Sequence, residues 1–243
     1  MSSTKANNNL RLRIFAGPNG SGKSTIINAV KNHEEKGIPV DFGIYVNADD
    51  IALALRKDKF TFEKYKVKVD ANEFEDVAIK TGLINKNFNA KTFAGTFTLT
   101  NNAIRLANPV YDEHLAQIIA DFLRKKLLLE KKKFSFETVF SHPSKLEIIE
   151  KAVANGYKVY LYFVSTESAE INKYRVKVRT LEGGHDVDPL KIESRYYRAL
   201  DLMYSASQLV YQAYFFDNSR DGSVLECLPI LRRVPMDVKS GMP

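Results

Sequence analysis

Short apolar runs alternate with amphipathic stretches along most of the chain, and this alternation predicts a sheet flanked by helices. The runs predicted as strands cover residues 11–16, 43–47, 134–136, 157–164 and 213–216. The fourth run is nearly continuous in β-branched and aromatic residues, as expected for a strand buried on both faces. Strands that alternate with helices indicate a mainly parallel α/β sheet with right-handed crossovers, whose ligands bind at the carboxyl ends of the strands.

Recognisable start and stop signals delimit the predicted helices. One predicted helix covers residues 24–31 and follows a glycine-rich turn, and another begins at Asp188 and Pro189. Ser144 and Glu147 have the spacing of a capping box, and Gly156 supplies a stop. The apolar stripe expected between them consists of Leu146, Ile149 and Val153.

The segment 56–108 departs from this alternation. It combines a candidate helix at residues 63–69 with a stretch rich in threonine and phenylalanine at 91–100. We interpret 56–108 as an insertion, which either covers a substrate or is an excursion with no role in binding. The whole chain, 1–243, is expected to form one domain, with an edge strand near 224–231 and a loose tail over 235–243.

Composition narrows the class of protein. Of the 243 residues, 44% are hydrophobic, which is enough for a well-filled core. The polar N-terminus and the lack of any run of roughly 18 apolar residues predict a cytoplasmic protein that does not enter a membrane. Cys227 is the only cysteine, so an internal disulfide is excluded.

The net charge of +7 suggests an anionic partner. Five lysines near one predicted helix end are interpreted as a solvated face rather than a nucleic-acid patch: Lys125, Lys126, Lys131, Lys132 and Lys133.

The strongest chemical signal lies between the first strand and the first helix. It matches G-x-x-x-x-G-K-[ST], the phosphate-binding P-loop, and consists of Gly17, Pro18, Asn19, Gly20, Ser21, Gly22, Lys23, Ser24 and Thr25. In this motif backbone N–H groups surround phosphate oxygens, the lysine reaches the β and γ phosphates, and the serine hydroxyl binds magnesium. The sequence therefore predicts binding of ATP with Mg²⁺, with Lys23 at the phosphates and Ser24 at the metal.

Acidic and hydroxyl residues follow two other predicted strands. Asp49 lies just after the second strand, and Glu137 with Thr138 ends the third. Asp49 is a candidate base that accepts a proton from an attacking hydroxyl, and it would equally suit the cap of a helix. Glu137 and Thr138 are candidate substrate-binding residues, with a solvent-facing turn as the alternative.

Two predicted helices near residues 166 and 188 carry arginines at helical spacing. Arg175 and Arg179 share one face with Asn172, and Arg195 has a similar position on the next helix. Ile171, Tyr174, Val178 and Leu181 are expected to cover the core. The connection Gly183–Gly184–His185–Asp186 resembles a hinge, so the arginines form a candidate lid over the γ phosphate and the acceptor. Salt bridges with Glu182 or Glu193 are the alternative.

Taken together, these motifs resemble the zeta-toxin family of P-loop kinases. The resemblance rests on residues 15–25, 46–49, 134–138, 175–187 and 216–219, in that order. It implies a nucleoside-kinase-like sheet in strand order 2-3-1-4-5 and transfer of the γ phosphate to a hydroxyl. Asp49 would be the base, Glu137 and Thr138 would bind the substrate, and Arg175 and Arg179 would serve as lid residues. Zeta toxins phosphorylate UDP-N-acetylglucosamine and are held inactive by an antitoxin, so both features are expectations here.

Two other functions fit the same motifs. A kinase for nucleic-acid ends would use the positive charge and aromatic residues able to stack bases, although core packing also explains these aromatics: Phe60, Phe62, Phe88 and Phe93. A nucleotide-dependent switch would bind ATP and report its occupancy to a protein partner, with slow turnover or none. Of the three, a small-molecule kinase explains most of the motifs, and a nucleic-acid substrate is not favoured.

Overall fold

The fold is described from a computed structural model that covers residues 10–85, 88–107, 112–184, 186–220 and 226–232. These residues belong to two compact units. The P-loop unit comprises Met1–Val40 and Thr138–Pro243, and the central unit comprises Asp41–Glu137. His185 and the predicted tail 235–243 lie outside the described residues. Among the helices that the structure describes, none combines the length and the apolar character needed to cross a membrane.

In chain order, the P-loop unit begins with β1 (Arg11–Ala16), α1 (Lys23–Lys31), β2 (Glu34–Glu35) and β3 (Ile38–Pro39). The central unit follows with β4 (Ile44–Val46), α2 (Ala48–Lys57), β5 (Lys59–Thr61), a 3₁₀ turn (Glu63–Tyr65), α3 (Ala71–Ile79), α4 (Ala90–Ala94), β6 (Phe97–Thr100), β7 (Ala103–Leu106), α5 (Asp112–Leu129) and β8 (Phe134–Thr138). The P-loop unit resumes with α6 (Ser144–Ala154), β9 (Lys158–Ser165), α7 (Ala169–Leu181), α8 (Pro189–Leu209), β10 (Gln212–Asp217) and β11 (Glu226–Arg232).

The main sheet has the strand order β11-β10-β9-β1-β8-β4. Its five parallel strands are those predicted from the hydrophobic pattern, and their order is the expected 2-3-1-4-5. Within the P-loop unit, β9 is central, and it pairs in parallel with β1 and with β10. The added strand β11 pairs antiparallel with β10, as expected for an edge strand. The predicted fold class is therefore confirmed.

Aromatic stacking supports the centre of the P-loop unit. The rings of Phe15 and Tyr162 stack at 4.8 Å, and Tyr162 and Tyr214 stack at the same spacing on the neighbouring strand. Arg13 is also buried here, at 7% exposure, and its guanidinium donates to the Tyr162 hydroxyl at 2.7 Å. Burial raises the pKa of Tyr162 to about 12, so the hydroxyl stays protonated at neutral pH.

The central unit has its own aromatic core and a second sheet in the order β5-β7-β6. Phe62, Phe74 and Phe122 are each no more than 1% exposed, and their rings meet at 5.2 to 6.2 Å. The four aromatics that suggested base stacking are buried as well, between 0% and 4% exposed: Phe60, Phe62, Phe88 and Phe93. Their faces are therefore used for packing, and the stacking interpretation is wrong.

Three local predictions differ from the structure. The candidate helix at 63–69 is only a 3₁₀ turn, because Lys66 takes a left-handed conformation with φ 55° that ends it. The capping box is not formed, because Pro143 is the N-cap and Ser144 is already the first residue of the helix. The Ser144 hydroxyl instead pairs with Nδ1 of His142, 2.9 Å away. The buried stripe of α6 consists of Ile148, Ile149 and Ala152, whereas Val153 is 37% exposed.

Candidate functional site

The P-loop has the strand, turn and helix that its sequence predicts. The turn leaves β1 at Gly17 and enters α1 through Gly22, which has φ 91°. A Cβ on Gly17 would lie 2.1 Å from the main-chain oxygen of Val164, and a Cβ on Gly22 would lie 2.0 Å from Nδ2 of Asn218. Both positions therefore require glycine for space and for backbone conformation, since Gly17 also has a positive φ of 146°.

Lys23 is held over the loop. Its side chain is 8% exposed, and Nζ donates to the main-chain oxygens of Gly17 at 2.9 Å and Pro18 at 3.0 Å. Ser24 and Thr25, by contrast, are exposed in the first turn of α1. A helix N-terminus with exposed hydroxyls beside a lysine ammonium is suited to binding phosphate. The buried Ser21 hydroxyl has no hydrogen-bond partner among the described residues.

Asn218, at the end of β10, anchors the loop. Its Nδ2 donates to the main-chain oxygen of Ser21 at 2.9 Å, and its main-chain oxygen accepts from Nη1 of Arg175 at 2.7 Å. One residue therefore connects the P-loop to the first candidate lid arginine. The motif carrying Asn218 contributed to the family resemblance, but no role for Asn218 was predicted. Its separation of 197 residues from Ser21 gives no local signal.

Asn172 closes the loop on the side of α7. Asn172 is fully buried, and a Cβ built on Gly20 would lie only 2.5 Å from the main-chain oxygen of Asn172. The Oδ1 atom of Asn172 accepts from the Thr166 hydroxyl at 2.5 Å, whereas Nδ2 has no partner among the described residues. The sequence predicted Asn172 on a polar face with the arginines. The one feature of the sequence that could have indicated its burial is its helical spacing, three residues after Ala169 and four before Val176.

The inward face of α7 differs from the prediction. Its buried residues are Ala169, Asn172 and Val176. Tyr174 and Leu181, which were expected to cover the core, are 66% and 80% exposed. The polar Asn172 faces inward because the loop backbone approaches it closely, a requirement that hydrophobic periodicity does not register.

The candidate lid arginines take different positions within the P-loop unit. Arg195 on α8 donates from Nη1 to Oδ1 of Asn19 at 3.4 Å, and burial, with a smaller contribution from Arg198, lowers its pKa. Arg195 keeps its charge at neutral pH because a guanidinium titrates far above it. Arg179 is exposed, and its main-chain oxygen accepts from the Gly184 amide at 2.9 Å. Glu193, one of the alternative partners, bonds to Lys173 at 2.6 Å.

The central unit contains a polar cluster at the carboxyl ends of β4 and β8. Oε2 of Glu137 accepts from the Tyr45 hydroxyl and from Nδ2 of Asn47, each at 3.3 Å. Burial first, and then the neighbouring Glu137, raise the pKa of Tyr45 above its ordinary value, so Tyr45 remains a donor. We call Tyr45, Asn47 and Glu137 the acceptor cluster.

Asp49 does not cap α2. The cap is Asn47, whose Oδ1 accepts from the Asp49 amide at 2.8 Å, so the alternative role considered for Asp49 is filled by another residue. The Asp49 side chain is exposed in the first turn of α2, and it makes no hydrogen bond or ion pair within the described part of the chain. Thr138 forms a local turn in which its hydroxyl accepts from the Phe140 amide at 3.2 Å.

The donor set around α1 fits magnesium in the way P-loop proteins hold it. Among the described residues, no group of three or more histidine, cysteine or acidic side chains could form a complete metal site. Mg²⁺ needs no such cage, because it is commonly bound by one or two protein groups together with substrate phosphates and water. The exposed Ser24 hydroxyl at the start of the helix could supply that protein ligand.

No protein-family model matches the sequence, and no curated protein matches it either. Solved structures do share its fold. The AvrRxo1-ORF1:AvrRxo1-ORF2 complex with sulphate ions aligns at TM-score 0.52 and 14% identity, over 90% of this chain and 58% of the other. Its native form aligns at TM-score 0.50 and 15% identity, with the same coverage. The PezAT toxin–antitoxin structure from Streptococcus pneumoniae aligns at TM-score 0.48 and 13% identity, over 91% and 72% of the two chains.

At sequence identities of 14% and 15%, the matches to the AvrRxo1 structures show a shared fold and no more. The chain spans little more than half of the AvrRxo1 chain with which it aligns. Within that limit, the fold predicted from the sequence is confirmed: the chain has a mainly parallel α/β sheet flanked by helices, and it shares this fold with the AvrRxo1 chain.

Proposed function

We propose that this P-loop kinase fold transfers the γ phosphate of ATP to a hydroxyl group of a small molecule. The observation that supports this most directly is the P-loop itself, with Lys23 over the loop carbonyls and Asn218 anchoring Ser21. With a triphosphate bound, Nζ of Lys23 would donate to phosphate oxygens in place of the main-chain oxygens of Gly17 and Pro18 that it contacts in this structure. The loop amides and the N-terminus of α1 would bind the remaining charge.

Positive side chains of α7 and α8 would then stabilise the transferring phosphoryl group. Arg195 contacts the loop at Asn19, and Arg175 is oriented by Asn218. Arginine suits this role because it stays charged and binds phosphate oxygens through two N–H groups. We assign Arg179 to the same lid as a more distant member, since it is exposed near the Gly183–Gly184 connection. Mg²⁺, bound through Ser24, would neutralise charge on the phosphates.

The acceptor side of the reaction is assigned to the carboxyl ends of β4 and β8. Asp49 is proposed as the base, because its exposed carboxylate can accept the proton of an incoming hydroxyl. Glu137 would accept a hydrogen bond from a second hydroxyl of the same molecule, and Thr138 would contribute its own hydroxyl. A UDP-N-acetylsugar is the first acceptor to test, following the resemblance to zeta toxins.

A protein partner is part of the proposal. The AvrRxo1 structures were solved as complexes of two chains, ORF1 with ORF2. By analogy, an antitoxin-like protein would bind this chain and block the reaction. Nucleic acid is not proposed as the substrate, because the aromatic rings that suggested stacking are buried.

The test separates nucleotide binding from transfer. Purified protein with Mg²⁺, ATP and UDP-N-acetylglucosamine is expected to form ADP and a phosphorylated sugar nucleotide, both detected by mass spectrometry. Asp49→Asn should lower the rate about 10²- to 10⁴-fold and leave ATP affinity within twofold, as expected for loss of a general base. Asp50→Asn is the matched control, since it removes the same charge from the adjacent exposed position.

Other outcomes have distinct meanings. Lys23→Ala should abolish ATP binding and transfer together. Product formation with a different sugar or nucleoside would reject only the named acceptor. ATP binding without transfer to any hydroxyl compound tested, and without an effect of Asp49→Asn, would reject the kinase and favour the nucleotide-dependent switch.

A further inference from the structure

A cavity of about 590 Å³ opens in the central unit, at the amino ends of β4 and β8. Gly43 and Ile44, at the start of β4, and Lys133, just before β8, line it. The acceptor cluster belongs to the opposite, carboxyl ends of these two strands. Tyr45 is the one member of the acceptor cluster that lines the cavity, and none of Asp49, Glu137 and Thr138 does so.

Four lysines line this cavity: Lys64, Lys66, Lys132 and Lys133. Two of them have acidic partners, since Lys132 bonds to Glu130 at 2.6 Å and Lys133 to Asp41 at 2.9 Å. Lys64 and Lys66 are exposed and make no ion pair within the described part of the chain. The lining contains these four lysines and no acidic residue, so the lining itself carries an excess of positive charge. Glu130 and Asp41 offset two of the ammonium groups from outside the lining, and Asp50 acts electrostatically on Tyr45 and Tyr65.

The local backbone is built to hold these lysines at one place. The 3₁₀ turn ends at Lys66, a non-glycine residue with φ 55°, and its main-chain oxygen accepts from Nζ of Lys132. A left-handed backbone conformation is uncommon for a residue with a long side chain, and such conformations are concentrated at sites of function. Tyr65, between Lys64 and Lys66, is only 2% exposed and anchors the turn, and Nζ of Lys64 lies 5.8 Å from the centre of its ring.

We propose that this cavity, which we call the lysine cavity, binds a small phosphate-bearing molecule at a second site distinct from the P-loop. Its volume is in the range of pockets for small molecules. Tyr45 and Tyr65 give it an aromatic wall, and a less polar wall strengthens the attraction between ammonium and phosphate groups. A cavity of this volume suits a small molecule, whereas a nucleic-acid strand needs an extended groove.

Tyr45 connects the lysine cavity to the acceptor cluster. The residue lines the cavity, and its hydroxyl donates to Glu137 at 3.3 Å. A phosphate group bound beside Tyr45 would therefore alter the environment of a residue that bonds directly to Glu137. The second site would regulate use of the acceptor, and its phosphate-bearing ligand need not be a substrate of the proposed transfer.

The experiment measures binding of inorganic pyrophosphate by titration calorimetry at low ionic strength. The full chain carries Lys23→Ala in every sample, so that the P-loop contributes little. A remaining binding event is expected, and Lys64→Gln with Lys66→Gln should weaken it at least tenfold. The matched control is Lys57→Gln with Lys80→Gln, two exposed lysines of the same unit outside the cavity, which should change affinity less than twofold.

Three other results would overturn the proposal. Absence of pyrophosphate binding in the Lys23→Ala protein would reject the second site. Equal losses in the two double variants would show attraction to overall charge instead of a site. If a single-stranded octanucleotide bound at least as tightly as pyrophosphate and depended equally on Lys64 and Lys66, the small-molecule assignment would be wrong. Unchanged thermal unfolding of the variants would exclude misfolding as the cause of any loss.

Discussion

The side-chain amide of Asn218 donates to the main-chain oxygen of Ser21 at 2.9 Å, joining the end of β10 to the middle of the P-loop. The same residue leaves no room for a side chain at Gly22, where a Cβ would lie 2.0 Å from Nδ2. The loop is therefore shaped by its glycines and also by a residue near the other end of the chain. Arg175 bonds to the same residue, at its main-chain oxygen.

Removal of this anchor should loosen the loop. Asn218→Ala is expected to cost about 1 kcal/mol of stability, the usual value of one hydrogen bond, and to weaken ATP binding about tenfold because the loop is no longer held in its binding conformation. Unfolding by denaturant and calorimetric titration with ATP measure the two effects.

A double-mutant cycle identifies the contact. Gly22→Ala should destabilise the wild-type protein more than the Asn218→Ala protein, because the second background removes the clash and leaves only the strain of φ 91°. Equal costs in both backgrounds would contradict the close approach of the two residues.

Asn47 is expected to have two separable roles, one in capping α2 and one in bonding to Glu137. Asn47→Ala should lose both and cost about 1 kcal/mol of stability. Asn47→Ser keeps a capping oxygen but is too short and lacks an amide to donate to Glu137. Thermal unfolding of Asn47→Ser should therefore resemble that of the wild type, whereas the KM for the acceptor rises in both variants. A normal KM in Asn47→Ser would remove Asn47 from the acceptor cluster.

The aromatic core of the central unit should dominate its stability. Phe74 on α3 is fully buried, so Phe74→Ala is expected to cost about 3–5 kcal/mol. Ile79, on the same helix, is 56% exposed, and Ile79→Ala should change stability by less than about 0.5 kcal/mol. Denaturant titration of the full chain compares them, and similar costs would contradict the burial assigned to α3.

Alkaline pH should destabilise the fold through its buried tyrosines. Burial raises the pKa of Tyr65, Tyr157 and Tyr162 to about 12, whereas an unfolded tyrosine titrates near 10. The folded state thus favours the protonated phenol. This contribution is fully present below the unfolded pKa and is lost as the pH rises through the folded value.

The chain contains no tryptophan, so near-ultraviolet absorbance reports tyrosinate directly as the pH is raised. Tyr65→Phe should lose less stability between pH 10 and 12 than the wild type, because one raised pKa is removed. Identical pH dependence in the two proteins would mean that Tyr65 is not protected from ionisation in the folded state.

Several features of this protein were determined by the sequence alone, because they depend on neighbours along the chain. The strand at Arg11–Ala16 was predicted at its observed bounds, and the P-loop and α1 follow from adjacent glycines, Lys23 and Ser24. The parallel strands were recognisable because short apolar runs alternate with predicted helices along the chain. The strand order agreed with the one implied by the family resemblance.

Only the tertiary structure decided which polar residues support these elements. Asn218 reaches Ser21 across 197 positions, and Asn172 is buried because the loop backbone approaches it at Gly20. Hydrophobic periodicity predicted the opposite face of α7, since it does not register a polar residue that packs against main chain. The lysine cavity likewise joins Lys64 and Lys66 to Lys132 and Lys133, which are distant in sequence, and Nζ of Lys132 donates to the main-chain oxygen of Lys66. Propensity and motif spacing act locally, whereas these contacts depend on chain segments that folding brings together.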